Sequence, residues 1–133
     1  MENIDQKTIA FDLDDVLCYR DTEKNGIQKY LTCKPNYNMI NIVNKCYDSG
    51  HIVVIYTARG MKIFNGNVNK IYNNLYILTK NQLDNWGVKH HELVMGKLHY
   101  DILIDDKVTN SANISTIEDI LALIKRFNKG NIL

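Results

Sequence analysis

The chain has 133 residues, of which 45% are hydrophobic and 23% charged, and its formal net charge is +1. That length predicts one domain, residues 1–133, with a core that needs no disulfides. A charge so near zero excludes a global field for nucleic acid or for an anionic membrane, and no apolar run approaches the ~20 residues that span a bilayer.

There are three cysteines, Cys18, Cys33 and Cys46. Their number is odd, no pair has C-x-x-C spacing, and no zinc ligand set is visible. Reduced thiols are the expectation. A catalytic thiol is not expected at Cys18, because no partner histidine is evident. Met1 to Thr8 is polar and lacks the charged and apolar regions of a secretory signal, so a cytoplasmic location is expected.

Lys7 to Leu13 reads as a strand, the apolar Ile9-Ala10-Phe11 leading into Asp12, Asp14 and Asp15. Asp14 to Pro35 is polar and irregular, with Gly26 as a breaker and a helical turn over Ile27 to Leu31. A helix is predicted from Pro35, with Met39, Ile40, Ile42, Val43, Cys46 and Tyr47 on its buried face and Gly50 as its stop. His51 to Tyr56 is a β-branched run, the strongest strand signal in the chain, and Thr57-Ala58-Arg59-Gly60 follows it. Met61 to Asn67 is predicted as loop. Val68 to Trp86 is predicted as a helix, with Ile71, Leu75, Leu78 and Leu83 on one face and Gly87 beyond it. Glu92 to Met95 is a short strand, and Gly96 to Tyr100 a turn. Asp101 to Ile104 is predicted as a buried strand ending in Asp105-Asp106. Ser115-Thr116-Ile117-Glu118 has the capping-box pattern before a last helix, Ile117 to Phe127. Strands alternating with helices predict βαβ units and a parallel sheet. The fold class is α/β, three-layer α/β/α and Rossmann-like, with right-handed crossovers.

In such a sheet, ligands bind at the carboxyl ends of the strands. Those ends carry Asp12 and Asp14, then Thr57, then Asp105 and Asp106, with Lys97 on the turn before the last. Carboxylates are costly to bury unpaired, so this cluster calls for a cation or donors. Mg²⁺ takes carboxylate oxygens together with substrate phosphate. A lysine and a hydroxyl can hold phosphate oxygens as charge develops. The set therefore points to phosphoryl transfer. Each residue alone has a plain structural use, as turn former, helix cap or surface lysine. Their order along successive strand ends carries the functional reading.

Asp12-Leu13-Asp14-Asp15-Val16-Leu17 resembles the DxDx(T/V)L signature of the haloacid dehalogenase (HAD) superfamily. The Ile-Val-Val-Ile-Tyr run ending in Thr57 resembles its second motif, Gly96-Lys97 its third, and Ile-Leu-Ile-Asp105-Asp106 its acidic fourth. Thr57-Ala58-Arg59-Gly60-Met61, Gly66-Asn67-Val68 and Val94-Met95-Gly96-Lys97 look similar to small bacterial HAD-like proteins described as capsule or polysaccharide-biosynthesis phosphatases. The resemblance implies a HAD-like fold and a Mg²⁺-dependent phosphomonoester hydrolase for a small phosphorylated metabolite, such as a sugar phosphate. It implies Asp12 as the nucleophile, forming an aspartyl-phosphate. Asp14 would be general acid and then base, with its backbone carbonyl on the metal. Thr57 would hydrogen-bond the transferring phosphoryl, and Lys97 would neutralise both the phosphate and Asp12. Asp106 would be the direct metal ligand beside Asp12 and Asp14, with Asp105 as partner of Lys97 or of a metal-bound water, or the reverse. The family often has Gly where Asp15 stands, and Asp15 is given a structural role. Ala58 and Arg59 are further substrate-binding candidates. Arg59 either grips phosphate bidentately or makes a salt bridge. His90 and His91 are adjacent, and their side chains diverge on regular structure, so a shared metal is not expected.

Asp15 to Pro35 is too short for an inserted cap, and Ala58 to Gly96 is filled by a loop, one helix and one strand. A capless member with no separate cap domain is expected. Its open site would suit sugar phosphates or large substrates, or be covered by a neighbouring subunit, and a homo-oligomer is the expectation. Gly60 to Asn67 and Tyr19 to Cys33 are the local lids. Receiver domains of two-component signalling use similar residues in another order, with the acidic pair first and the phosphorylated Asp on a middle strand. Here the acidic pair comes last and the middle strand ends in Thr57. A non-catalytic or regulatory phosphate-binding module is the alternative. Lys125, Arg126 and Lys129 make no basic stripe, so no nucleic-acid partner is expected.

Overall fold

The computed structural model describes residues 5–130. These fall into two compact units, one ending at His99 and the other starting at Tyr100, where length alone predicts one domain. The first unit contains β1 (Thr8–Phe11), β2 (Cys18–Tyr19), α1 (Gln28–Leu31), β3 (Lys34–Pro35), α2 (Tyr37–Asp48), β4 (Ile52–Thr57), α3 (Val68–Asn85) and β5 (Glu92–Met95). The second contains a 3₁₀ turn, Ser111–Asn113, and α4 (Ile117–Gly130).

β1, β4 and β5 form a parallel sheet in that order, with Phe11 opposite Ile55 and Thr57 opposite Met95. Strand residues two apart share a face, so Val53, Ile55 and Thr57 all point into the core, and Thr57 comes last in that row. α2 packs against β4 and α3 against β5. The fold is α/β with a parallel sheet, as the alternating pattern predicts.

Two helix details differ from the sequence reading. α2 starts at Tyr37, because the Asn36 side chain accepts the Met39 N–H at 3.4 Å and caps the first turn. Pro35 belongs instead to β3, opposite Cys18. On α3 the buried row is Ile71, Leu75, Thr79 and Leu83, with Thr79 in the place expected for Leu78. Tyr47 is half-buried and stacks on His91, ring centroids 4.5 Å apart. His91 Nδ1 accepts the Val53 N–H at 3.0 Å, and His90 sits between Lys80 Nζ (2.9 Å) and the Val88 carbonyl (3.0 Å).

In the second unit, α4 begins at Ile117 as expected, but its cap falls one residue later than Ser115. Asp119 Oδ2 accepts the N–H groups of Ser115 (2.8 Å) and Thr116 (3.1 Å), and Thr116 Oγ1 accepts the Asp119 N–H at 3.2 Å. With Ile117 as the first helical residue, Thr116 is the cap and Asp119 the third position, so this pair closes the box in place of Ser115 and Glu118. The strand predicted over Asp101 to Ile104 is not formed. Ile102 is 74% exposed and Ile104 89%. A β-branched run becomes a strand only when a neighbouring strand takes its hydrogen bonds, and among the described residues no ladder includes this one. No helix among the described residues is long and apolar enough to cross a membrane.

Candidate active site

β1 delivers Asp12 to the carboxyl edge of the sheet, and the chain then turns sharply. The Leu13 carbonyl accepts the N–H groups of Val16 (3.2 Å) and Leu17 (2.8 Å), while the Leu13 and Leu17 side chains are fully buried. Asp15 stands at φ +66°, held by its N–H on the Cys18 carbonyl at 2.7 Å and by an ion pair with Arg20. Asp tolerates this left-handed backbone better than most residues. Asn36 fastens the turn through its Nδ2 to the Val16 carbonyl (3.0 Å) and its N–H to the Leu17 carbonyl (2.8 Å).

The Asp12 carboxylate is 39% exposed, and its Oδ2 lies 3.5 Å from Lys97 Nζ. Its Oδ1 accepts the Leu13 N–H at 2.8 Å. Lys97 reaches this point because Gly96 turns the chain at φ +89° and the Lys97 N–H bonds the Thr57 carbonyl at 3.1 Å. A Cβ at position 96 would stand 3.2 Å from Val68 Cγ2. The Lys97 ammonium lies 5.8 Å over the Tyr56 ring and its side chain is only 15% exposed. Thr57 is buried, and its Oγ1 accepts the Arg59 N–H at 3.0 Å, which leaves the hydroxyl hydrogen to donate. Ala58 is half-buried beside it. Asp12, Thr57 and Lys97 thus stand at the ends of the three neighbouring strands.

Arg59 turns inward. Its side chain has 0% exposure. Nε and Nη2 donate to the two Asp14 carboxylate oxygens at 3.1 and 2.8 Å. Nη1 donates to Thr79 Oγ1 (3.2 Å) and Gln82 Oε1 (2.6 Å), and the guanidinium lies 4.8 Å over the Tyr30 ring. Burial works against its charge, but the hydrogen bonds and charge of Asp14 outweigh that and hold its pKa above the ordinary value. Of the two roles the sequence leaves open, the Arg59 side chain makes the salt bridge, to Asp14. The same fork takes the Asp14 carboxylate, so only the Asp14 backbone carbonyl is left for the metal role that the resemblance implies.

Gly60 closes the Arg59 pocket. Its N–H donates to Tyr30 Oη at 3.1 Å, it adopts φ +83°, and an added Cβ would stand 2.5 Å from Leu75 Cδ1. Gly60→Ala therefore strains the backbone and overpacks a buried leucine. The expected loss is about 2–3 kcal/mol of stability, read as a lower urea midpoint; an unchanged midpoint would contradict this packing.

Cys18 and Cys33 complete the surroundings of Asp14. Their Sγ atoms donate to Asp14 Oδ1 at 3.5 and 3.8 Å, and the two sulfurs and the carboxylate lie within 4.8 Å of one another. The hydrogen bond from Cys18 lowers the Cys33 pKa, with burial opposing and Arg59 assisting. The Cys18 pKa is raised by that bond, by burial and by the Asp14 charge. Two thiols and a carboxylate suit a soft metal. Here the Arg59 guanidinium already provides the cation, with Nη2 3.8 and 3.7 Å from the two sulfurs.

Mg²⁺ wants hard oxygens, and one or two carboxylates suffice when substrate phosphate and water complete its shell. The half-exposed Asp12 carboxylate and the Asp14 carbonyl fit that requirement in the first unit. Asp105 and Asp106 belong to the second unit, where both are exposed. Asp105 Oδ1 accepts the Asp106 N–H at 2.7 Å, and this bond leads the causes that hold its pKa below the ordinary value.

A crystal structure of a structural-genomics target from Vibrio cholerae is similar to this chain, with a TM-score of 0.76 and 27% identity over 91% of this chain and 98% of that one. The likeness supports the α/β fold. No family model and no curated protein matches the chain.

Tyr30, Cys33, Thr79 and Gln82 escaped the sequence reading of the site. Thr79 left one trace, a hydroxyl on the four-residue spacing of Ile71, Leu75 and Leu83. Gln82 lies on the same helix but off that spacing, and Tyr30 and Cys33 lie in the irregular segment before α2.

Proposed function

We propose that the chain is a Mg²⁺-dependent phosphomonoester hydrolase of the HAD type, acting on a small phosphorylated metabolite, with sugar phosphates as the leading class. The observation that carries this reading is the Asp12–Lys97 pair, 3.5 Å apart at the carboxyl edge of the sheet with Thr57 on the strand between them. A half-exposed carboxylate beside an ammonium suits attack on phosphorus, with Lys97 offsetting the phosphate charge. Thr57 donates its hydroxyl hydrogen to a phosphoryl oxygen. Bound Mg²⁺, held by the Asp12 carboxylate and the Asp14 carbonyl, would offset negative charge on the transferring group. As Asp12 attacks, the bond from phosphorus to the leaving alkoxide breaks and the alkoxide takes a proton from Asp14 or from solvent; water then hydrolyses the aspartyl-phosphate, releasing phosphate and restoring the Asp12 carboxylate.

A phosphoacceptor module with slow turnover is a second reading, and the Arg59–Asp14 fork favours it. An acid/base group held by a buried guanidinium would act poorly on the leaving alkoxide or the incoming water. An aspartyl-phosphate on Asp12 would then persist.

One experiment tests both. The full chain, incubated with an aryl phosphate and Mg²⁺, is expected to release phosphate continuously, and excess chelator is expected to stop it with recovery on added Mg²⁺. A single stoichiometric burst followed by a stable acyl-phosphate selects the second reading. Release that ignores the chelator removes the metal from the mechanism.

A further inference from the structure

We propose that Cys18 and Cys33 form a reversible disulfide on reaction with a hydroperoxide, which makes this pair an oxidative modification site beside Asp14. Both sulfurs already share Asp14 Oδ1 and lie within 4.8 Å of each other. In the antiparallel β2–β3 ribbon, Cys18 is opposite Pro35 and Tyr19 opposite Lys34. Cys33 therefore comes one step past the ladder, as a diagonal neighbour of Cys18. Diagonal Cα atoms on one face are about 7–8 Å apart. A disulfide accepts about 4.4–6.8 Å. Closure thus needs only a small shift at the end of a ribbon two residues long on each side.

Access orders the chemistry. Cys33 is half-buried and Cys18 fully buried, so the oxidant meets Cys33 first. Cys46 is buried on α2, where burial pushes its thiol up to about 11. In the first step Cys33–SH and ROOH give Cys33–SOH and ROH. An S–O bond forms, the O–O bond breaks, and the thiol proton ends on the alcohol. In the second, Cys18 Sγ attacks the sulfenic sulfur. The S–S bond forms, hydroxide leaves, and the Cys18 proton joins it as water. The two sulfurs lose two electrons and the hydroperoxide gains them.

The product has no S–H group to donate. Asp14 Oδ1 would lose both thiol donors and keep the Arg59 fork. Any effect of this change on phosphate release rests on the proposed function, whereas the cross-link does not.

The test treats the full chain with hydrogen peroxide, alkylates it, and maps its peptides by mass. Expected are the loss of two hydrogens, a linked Cys18–Cys33 peptide, an alkylated Cys46, and reversal by dithiothreitol. Cys33→Ser is expected to abolish the linked peptide, and Cys46→Ser to leave it intact. Peroxide that converts Cys33 to sulfinic acid while Cys18 remains a free thiol would overturn the proposal. So would a disulfide that uses Cys46 or joins two chains. Because the mass map of the unmodified sequence decides the matter, failed folding of a variant does not obscure it, and an inactive enzyme that still cross-links would count only against the phosphatase reading.

Discussion

Asp12→Asn is expected to lower phosphate release from an aryl phosphate by about 10³-fold or more, because an amide cannot attack phosphorus. The substitution is close to isosteric. The amide oxygen can still accept the Leu13 N–H that Asp12 Oδ1 takes at 2.8 Å, so the turn after β1 is kept. What goes is the ion pair to Lys97 at 3.5 Å. Exposed and partly exposed pairs of this kind contribute about 0–1 kcal/mol, so the urea midpoint should hardly move. Loss of activity with retained stability is therefore the signature of a nucleophile. Acid-quenched protein incubated with labelled substrate should carry phosphate in the parent and none in the variant. A variant that releases phosphate at the parent rate would place the nucleophile elsewhere and end the aspartyl-phosphate mechanism.

Arg59→Met is expected to destabilise the protein by about 3–5 kcal/mol. Breaking one side of a buried ion pair leaves the other charge uncompensated, and here the loss goes further. Asp14, Thr79 and Gln82 all lose donors, and Tyr30 loses the cation over its ring. Arg59→Lys should recover little, since an ammonium cannot span both Asp14 oxygens as the planar fork does. Combining Arg59→Met with Asp14→Asn should cost less than the sum of the two, because the stranded carboxylate is gone. Urea midpoints of the four proteins measure this coupling. If Arg59→Met unfolds at the parent midpoint, the fork is not a structural element.

Much of the sheet was legible locally. The β-branched run before Thr57 announces β4, and Glu92 to Met95 is β5 residue for residue. Asp12, Thr57 and Lys97 follow such runs directly, so the rule that parallel strands present their carboxyl ends to one edge was enough to group them. The expected strand before Asp105 failed for a physical reason. A strand is a property of a pair, and one segment's pattern does not state whether a partner will be there.

The role of Arg59 was outside the sequence's reach in the same sense. Its spacing from Thr57 allowed a phosphate clamp or a salt bridge. The choice depended on Asp14, 45 residues earlier, and on Gln82, 23 residues later. Cys18 and Cys33 likewise show no motif spacing, and only the β2–β3 ribbon makes them neighbours. By itself the sequence determined which residues end the strands, because period and composition are local. The tertiary structure decided which of those side chains face outward and which are locked inside, because that is set by register and packing between segments distant along the chain.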